Sequence, residues 1–231
     1  AEAAEGTIVL ADEQLKGRGR LGRTWISPPG MGIWMSIILR PSLLPPQQVP
    51  RITVMTAVAV VRALNRVTGS ETEIKWPNDI VYSGKKLCGI LTEIHAEPEM
   101  IHYAVVGIGI NINLSKGDIP EDIKQTATSL KIEKGKNYNR GEIVRVVLEE
   151  IENIYFDNLC GNNFKPILEE YHHHSVILGK KVYVTGTGSK FFMGYANGFG
   201  EDGSLLLRLD DGRIIEVLAG DVSVRGLDGY V

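Results

Sequence analysis

No aspartate or glutamate occurs between Gln14 and Ser70, although eight lysines and arginines do. The chain as a whole is acidic, with a formal net charge of −3 and a pI near 6.0. A basic stretch in an acidic chain implies a focused anion site and argues against a general nucleic-acid surface, which would make the domain basic. Cysteine is scarce: Cys88 and Cys160 are the only two, and their positions give neither a disulfide framework nor metal-ligand spacing. They read as reduced thiols of a cytoplasmic protein. Apolar runs break well short of the ~18 residues a membrane-spanning helix needs. The first residues, Ala-Glu-Ala-Ala-Glu-Gly, show no signal-peptide character. They lack an initiator Met and read like the tail of a helix, so the expectation is a chain that begins partway into its natural sequence. Finally, no Gly-Lys-Ser/Thr phosphate loop exists anywhere.

What is present in the acid-free stretch is a run of four cations and three glycines in the eight residues from Lys16 to Arg23. It has no apolar period that could bury a helix or strand, so it is expected to be a loop. Glycines let backbone N–H groups approach a ligand, and guanidinium forks bind carboxylate and phosphate oxygens in pairs. The expected ligand is a phosphorylated or carboxylated small molecule. Ordering such a loop is costly, which predicts mobility until the ligand binds.

The rest of the chain reads as a sheet with helices. Thr7 to Ala11 is a short strand, and Gly32 to Arg40 a longer one with Ile33, Met35, Ile37 and Leu39 on one face. Ile52, Met55, Val58, Ala59 and Leu64 fall at helical spacing, with Gly69 as a C-terminal stop. Ile74-Lys75-Trp76 is a brief strand broken at Pro77-Asn78-Asp79 and resumed by Ile80 to Tyr82, with a tight turn at Ser83-Gly84. Lys86 to Ala96 and Ile101 to Ile112 are longer strands, the second expected to be buried on both faces. Short helical turns are expected around Ile119 to Leu130. Asn139 with Glu142 opens a helix carrying Ile143, Val147, Ile151 and Ile154, and a second helix spans Phe164 to His173. Beyond a boundary near His174 to Leu178, five short strands between glycine turns predict a small closed barrel of the SH3 type. The division is 1–176 and 177–231.

Three motifs weaken on inspection. Gly17-x-Gly19-x-x-Gly22 matches a dinucleotide fingerprint, but Thr24 to Gly30 runs into two prolines instead of a helix, and no acidic residue follows at the required distance. The glycines of Gly107-Ile-Gly109-Ile-Asn111 read as places where another backbone or a ligand comes close. His172, His173 and His174 are neighbours on a helix and cannot converge on one metal ion.

Taken together, Gly-Arg-Gly-Arg-Leu-Gly-Arg-Thr-Trp (17–25), Lys-Trp-Pro-Asn-Asp (75–79), Lys-Leu-Cys-Gly-Ile-Leu-Thr-Glu (86–93) and Gly-Ile-Gly-Ile-Asn-Ile-Asn (107–113) resemble the biotin protein ligase family. The resemblance extends over essentially the whole chain, including Ala127-Thr-Ser-Leu130 and the small tail beginning near Leu178. It implies an α+β fold: a mixed β-sheet with flanking helices, akin to class II aminoacyl-tRNA synthetases, followed by an SH3-like β-barrel. It also implies a two-step reaction. Biotin is activated with Mg2+ and ATP as biotinyl-5′-adenylate, then passed to a lysine of a biotin carboxyl carrier protein. No nucleic acid or membrane partner is implied by these residues, and a homodimer is compatible with the family.

Carried over by position, Gln14, Gly17, Arg18, Gly19, Arg20, Lys86 and Gly89 match biotin and adenylate contacts. Arg23, Trp25, Asn78 and Asn111 match the nucleotide side; Trp25 reads equally well as a loop anchor. Arg18, Arg20 and Lys86 are the implied catalytic cations, and Asp79 is the carboxylate placed to receive or orient the incoming lysine. The resemblance gives no metal ligands. A Ser-Thr-Asn or similar run, which members carry ahead of the first strand, has no counterpart here. No helix-turn-helix precedes that strand, so the repressor role of some members finds no support. Two competing readings are a lipoate or octanoate ligase or transferase on the related fold, and a non-catalytic biotinyl-adenylate-binding module.

Overall fold

A computed structural model describes residues 3–42, 44–160, 163–186, 191–220, 222–226 and 230–231. Of the helix tail expected at 1–6, residues 1–2 lie outside the described residues, and 3–6 are a turn.

The strands are β1 (Ile8–Ala11), β2 (Gly32–Leu39), β3 (Glu73–Lys75), β4 (Asp79–Tyr82), β5 (Lys85–Glu97) and β6 (Met100–Asn111), in the sheet order β1-β2-β6-β5-β4-β3. Every ladder between them is antiparallel. The parallel component of the expected mixed sheet is confined to two isolated bridges, Ile74 with Ser175 and Lys86 with Ala127. β3 and β4 do not form one interrupted strand. The turn at Trp76-Pro77-Asn78, with a cis Trp76–Pro77 bond, folds them into a hairpin in which Lys75 faces Asp79.

One face of the sheet packs on α1 (Pro50–Thr68). This helix is buried on nearly every side because α3 (Arg140–Ile154) and α4 (Lys165–His173) cover its back. Between α1 and α3 lies the short α2 (Leu130–Lys134). Gly69 closes α1 in the left-handed conformation that the stop signal predicts. Asn139 caps α3 by accepting from the Gly141 and Glu142 N–H groups. A π-helical turn, Tyr155–Cys160, follows α3 directly. Among the described residues no helix is long and apolar enough to cross a membrane.

The expectation for β6 needs correction. Its residues alternate: Ala104, Val106, Ile108 and Ile110 are buried against α1's side, whereas Tyr103, Val105, Gly107 and Gly109 are only partly covered or exposed. The run reads as uniformly apolar because its second face is built from glycine and valine for a cleft, not for a second core layer.

The second sheet comprises β7 (Lys181–Gly186), β8 (Phe191–Phe199), β9 (Leu205–Arg208), β10 (Ile214–Val217) and β11 (Val222–Gly226), in the order β10-β9-β8-β7-β11. It curls round Val182, Val184, Ala196, Leu205, Leu207, Val217 and Val224. Among the described residues β10 and β11 are not paired, so the ladder stays open where a closed barrel was expected. The sheet docks on the first domain at specific points: the Trp76 indole N–H donates to the Gly203 carbonyl at 2.9 Å, and Arg51 Nε donates to the Glu201 carbonyl at 3.1 Å.

Candidate active site

A single register row crosses the first sheet: Ala11, Trp34, Gly109, Gly89, Asp79 and Lys75 lie side by side on β1, β2, β6, β5, β4 and β3. Two glycines at the centre of that row remove the side chains that would fill the face of the sheet. The gap is the floor of a cleft of about 520 Å3, with the glycine-arginine loop as one wall and β11 as another. The Trp25 indole rests on this floor. A Cβ added at Gly109 would lie 2.5 Å from Trp25 Nε1, and one at Gly89 would lie 3.0 Å from Cζ3. Trp25 also meets Trp34 edge to face at 6.4 Å between ring centroids. Its buried N–H has no hydrogen-bond acceptor among the described residues.

Beyond Gly89 the row turns from apolar to charged. Lys86 Nζ lies 2.5 Å from Asp79 Oδ1 and 5.2 Å from the centre of the Trp25 ring. The Lys86 backbone is clamped from both sides by the segment before α2. Its N–H donates to the Thr126 carbonyl at 2.7 Å, and its carbonyl accepts from the Thr128 N–H at 2.9 Å. The Ala-Thr-Ser-Leu run therefore fixes the strand entrance from which this lysine projects. Cys88, next but one, is buried on the opposite face, where desolvation pushes its thiol well above the usual range. It is inert packing.

The loop is not held open. Trp25 N–H donates to the Gly17 carbonyl at 2.9 Å, Gly19 N–H donates to Arg23 at 2.7 Å, and a short 3-10 turn spans Arg20–Gly22. Gly17 is required by contact, since a Cβ there would meet the Trp25 carbonyl oxygen at 2.3 Å. The Gln14 side-chain carbonyl accepts from the Ser27 hydroxyl at 2.9 Å. Arg18 pairs with Glu93 at 2.8 Å on the exposed rim, a contact of small energetic value. Arg20 donates to Asn78 Oδ1 at 3.0 Å, to the carbonyls of Ala219 at 2.6 Å and Val222 at 3.1 Å, and to that of Gly220. The loop therefore has ties of its own to β5, to the turn after β3 and to the strand connection ahead of β11, and a ligand need not supply all of its order.

All of the expected site residues converge on this cleft: Gln14, Gly17, Arg18, Gly19, Arg20, Arg23, Trp25, Asn78, Asp79, Lys86, Gly89 and Asn111 each line it. Asn111 is buried, its amide donating to the Thr128 carbonyl at 3.0 Å. Among the described residues no group of three or more His, Cys, Asp or Glu could hold a metal ion, and His172, His173 and His174 are no exception.

Sequence reasoning missed Lys75, Arg225 and Tyr230, which also line the cleft. Lys75 carries a legible signal, since it opens the Lys-Trp-Pro-Asn-Asp motif, and the hairpin sets it directly opposite Asp79. Tyr230 and Arg225 carry none, because they arrive from the far end of the chain. Lys75 is 4% exposed, and burial, reinforced by the cations of Arg225, Lys86 and Arg23, lowers its pKa to about 7. Between about pH 7 and 10.5 the unfolded chain binds the proton that folded Lys75 has released, so stability rises with pH over that window. Urea unfolding at pH 6.5 and 9.5 is expected to show this gain in the parent and a smaller one in Lys75→Met.

A glycine-floored trough that ends on a lysine and an aspartate, under a loop of arginines, suits a small ligand with an apolar body and anionic groups at one end. Comparison with known proteins agrees. Residues 1–111 match the biotin/lipoate A/B protein ligase family. The chain is 39% identical over 222 residues to the bifunctional ligase/repressor BirA of Bacillus subtilis, covering 96% of this chain and 67% of that protein. It is 32% identical to the biotin--[acetyl-CoA-carboxylase] ligase of Mycobacterium tuberculosis, covering 94% of this chain and 79% of the relative. The biotin protein ligase from Aquifex aeolicus, solved in complex with biotin and ATP, superposes with a TM-score of 0.84 at 33% identity, over 98% of this chain and 91% of that one. The chain belongs to the biotin/lipoate A/B protein ligase family, on its biotin protein ligase branch.

Proposed function

We propose that this cleft binds biotin and ATP, forms biotinyl-5′-adenylate and transfers the biotinyl group to a lysine of a biotin carboxyl carrier protein. The observation that carries the reading is the register row itself, in which the glycine floor and the Lys86–Asp79 pair stand side by side under Trp25. Biotin is a neutral fused ring on an apolar chain ending in a carboxylate. It fits a trough of glycine and indole whose end is cationic. Trp25, matched by resemblance to the nucleotide side, is therefore assigned here to the biotin trough, because its indole lies over Gly89 and Gly109, its unpartnered N–H facing a ligand oxygen.

In the first step a carboxylate oxygen of biotin attacks the α-phosphorus of ATP, and the bond to the leaving pyrophosphate breaks. Two anions must meet, so Lys86 is assigned to bridge them, leaving Asp79 as it does so. In the second step the acceptor amine attacks the biotinyl carbonyl carbon, the carbon–oxygen bond to the phosphate breaks, and AMP departs. Asp79, released by Lys86, is the carboxylate within reach of the amine proton. Arg20 and Arg18 are assigned to hold the loop over the intermediate, with Arg23, Asn78 and Asn111 on the nucleotide side. Mg2+ would arrive with the nucleotide, since among the described residues no carboxylate cluster is built to hold it: Glu93 pairs with Arg18 and Asp118 accepts from the Ser115 N–H. When bound it would neutralise phosphate charge. We assign residues 1–176 to catalysis and 177–231 to an SH3-like domain that completes the cleft wall. The two free thiols suit a cytoplasmic setting.

The test is pyrophosphate release with ATP and biotin, lipoate or octanoate in turn. Release with biotin alone supports the reading, and release with lipoate or octanoate instead would move the enzyme to the related branch. Gly109→Val provides a check on the floor. Valine is a good strand former, so the sheet should hold, but its Cβ evicts Trp25. Calorimetry is expected to show biotin affinity lowered by at least about tenfold, the cost of one ~1.4 kcal/mol misfit.

A further inference from the structure

Both carboxylate oxygens of Asp79 are engaged in this structure. Oδ1 faces Lys86, and Oδ2 accepts a hydrogen bond from the Tyr230 hydroxyl. The Tyr230 ring is in turn seated on Lys75, whose Nζ lies 3.3 Å from the ring centroid, with Arg225 at 5.9 Å. Burial raises the phenol's pKa above its ordinary value, the nearby Asp79 charge adding to that, so the group stays a neutral donor. The aromatic residue therefore occupies the free side of the one carboxylate assigned to the acceptor amine, and it reaches that position from beyond β11, 151 residues away along the chain.

We propose that Tyr230 guards the acceptor position: its hydroxyl stands in for the acceptor amine on Asp79, so every acceptor must displace it, and a partner with a docking surface does so at far lower concentration than a free amine. This rests on the function proposed above. An acceptor lysine on a carrier domain brings docking energy from residues remote from the reacting nitrogen and can use it to displace the phenol. A free amine brings none. For either acceptor the bond made is between the amine nitrogen and the biotinyl carbonyl carbon, the bond broken is to the adenylate phosphate, AMP leaves, and the amine proton passes to Asp79.

The experiment compares the parent with Tyr230→Phe, which keeps the ring on Lys75 and removes only the hydroxyl. Enzyme is first loaded with biotin and ATP, and its pyrophosphate burst is measured. It is then discharged with methylamine or with a biotin carboxyl carrier domain, and rates are expressed per adenylate formed. The expected result is that the second-order rate with methylamine and the carrier's kcat/KM both rise about tenfold, as for loss of one hydrogen bond to a charged group. Carrier kcat at saturation should change less than about twofold, because a docked carrier has already displaced the phenol. A fall in kcat with both acceptors would mean that Tyr230 orients Asp79 for catalysis and would overturn the proposal, as would rates equal to the parent's. A parent that gives no biotin-dependent burst would remove the underlying function and the proposal together; a normal parental burst with unaltered discharge in the variant would remove the proposal alone.

Discussion

Lys86→Met is expected to slow biotin-dependent pyrophosphate release by about 10²–10³, the usual loss when one preorganised charge aimed at a developing anion is removed. Methionine keeps the length and the contact with Trp25 but deletes the ammonium that lies 2.5 Å from Asp79. The substitution should spare nucleotide affinity, because the other residues assigned above to the nucleotide side, Arg23, Asn78 and Asn111, are left in place. The comparison is therefore rapid-quench adenylate formation against ATP binding by calorimetry. The fold should survive, since the Lys86 backbone is clamped by Thr126 and Thr128 regardless of its side chain. A variant that forms adenylate within a few-fold of the parent would place Lys86 outside the reacting centre.

Arg20→Gly is expected to turn a retentive enzyme into a leaky one. The guanidinium joins the loop to Asn78 and to the carbonyls of Ala219, Gly220 and Val222, so its loss cuts the loop's ties to the turn after β3 and to the chain around β11 at once. Glycine also loosens the backbone of the 3-10 turn that Arg20 begins. The effect should fall on the off-rate of the intermediate more than on encounter. Losing about 2–3 kcal/mol of charged contact corresponds to release roughly 30-fold to 150-fold faster. The readout is continuous pyrophosphate production without acceptor, together with labelling of a lysine-rich bystander protein. If turnover without acceptor is unchanged and the bystander stays unlabelled, Arg20 does not retain the intermediate, and that role passes to Arg18 and Lys16.

These assignments depend on features that differ in how visible they are in the chain. The strands and helices are legible wherever one face is buried: Ile33, Met35, Ile37 and Leu39 alternate and pack inward as β2, and Gly69 ends α1 in the left-handed conformation. The loop from Lys16 to Arg23 is legible because nothing in it can be buried. β6 misleads for a physical reason. Val105, Gly107 and Gly109 look like core residues in a list of apolar letters, yet small side chains on one face are what an open cleft requires. The hairpin of β3 and β4 is hidden because Pro77 and Asn78 mark a turn without saying which way the chain leaves it. The twelve residues expected at the site, all of which line the cleft, could be named because they sit in compact motifs on neighbouring strands and one loop. Tyr230 and Arg225 could not, since nothing local distinguishes a tyrosine that packs on a lysine from one on the surface. Their place depends on how the second sheet docks, through contacts such as Trp76 to Gly203, and docking has no periodicity to read.

The central claim is that one cleft activates biotin and hands it to a protein lysine, and the most direct measurement is the mass of an acceptor. The full chain is incubated with biotin, Mg-ATP and a biotin carboxyl carrier domain. The account predicts that the domain gains one biotinyl group at one lysine, that the gain requires ATP, and that Lys86→Met abolishes most of it. An acceptor whose mass is unchanged, while the protein still binds biotin and ATP, would contradict the account and leave an adenylate-binding module in place of a ligase.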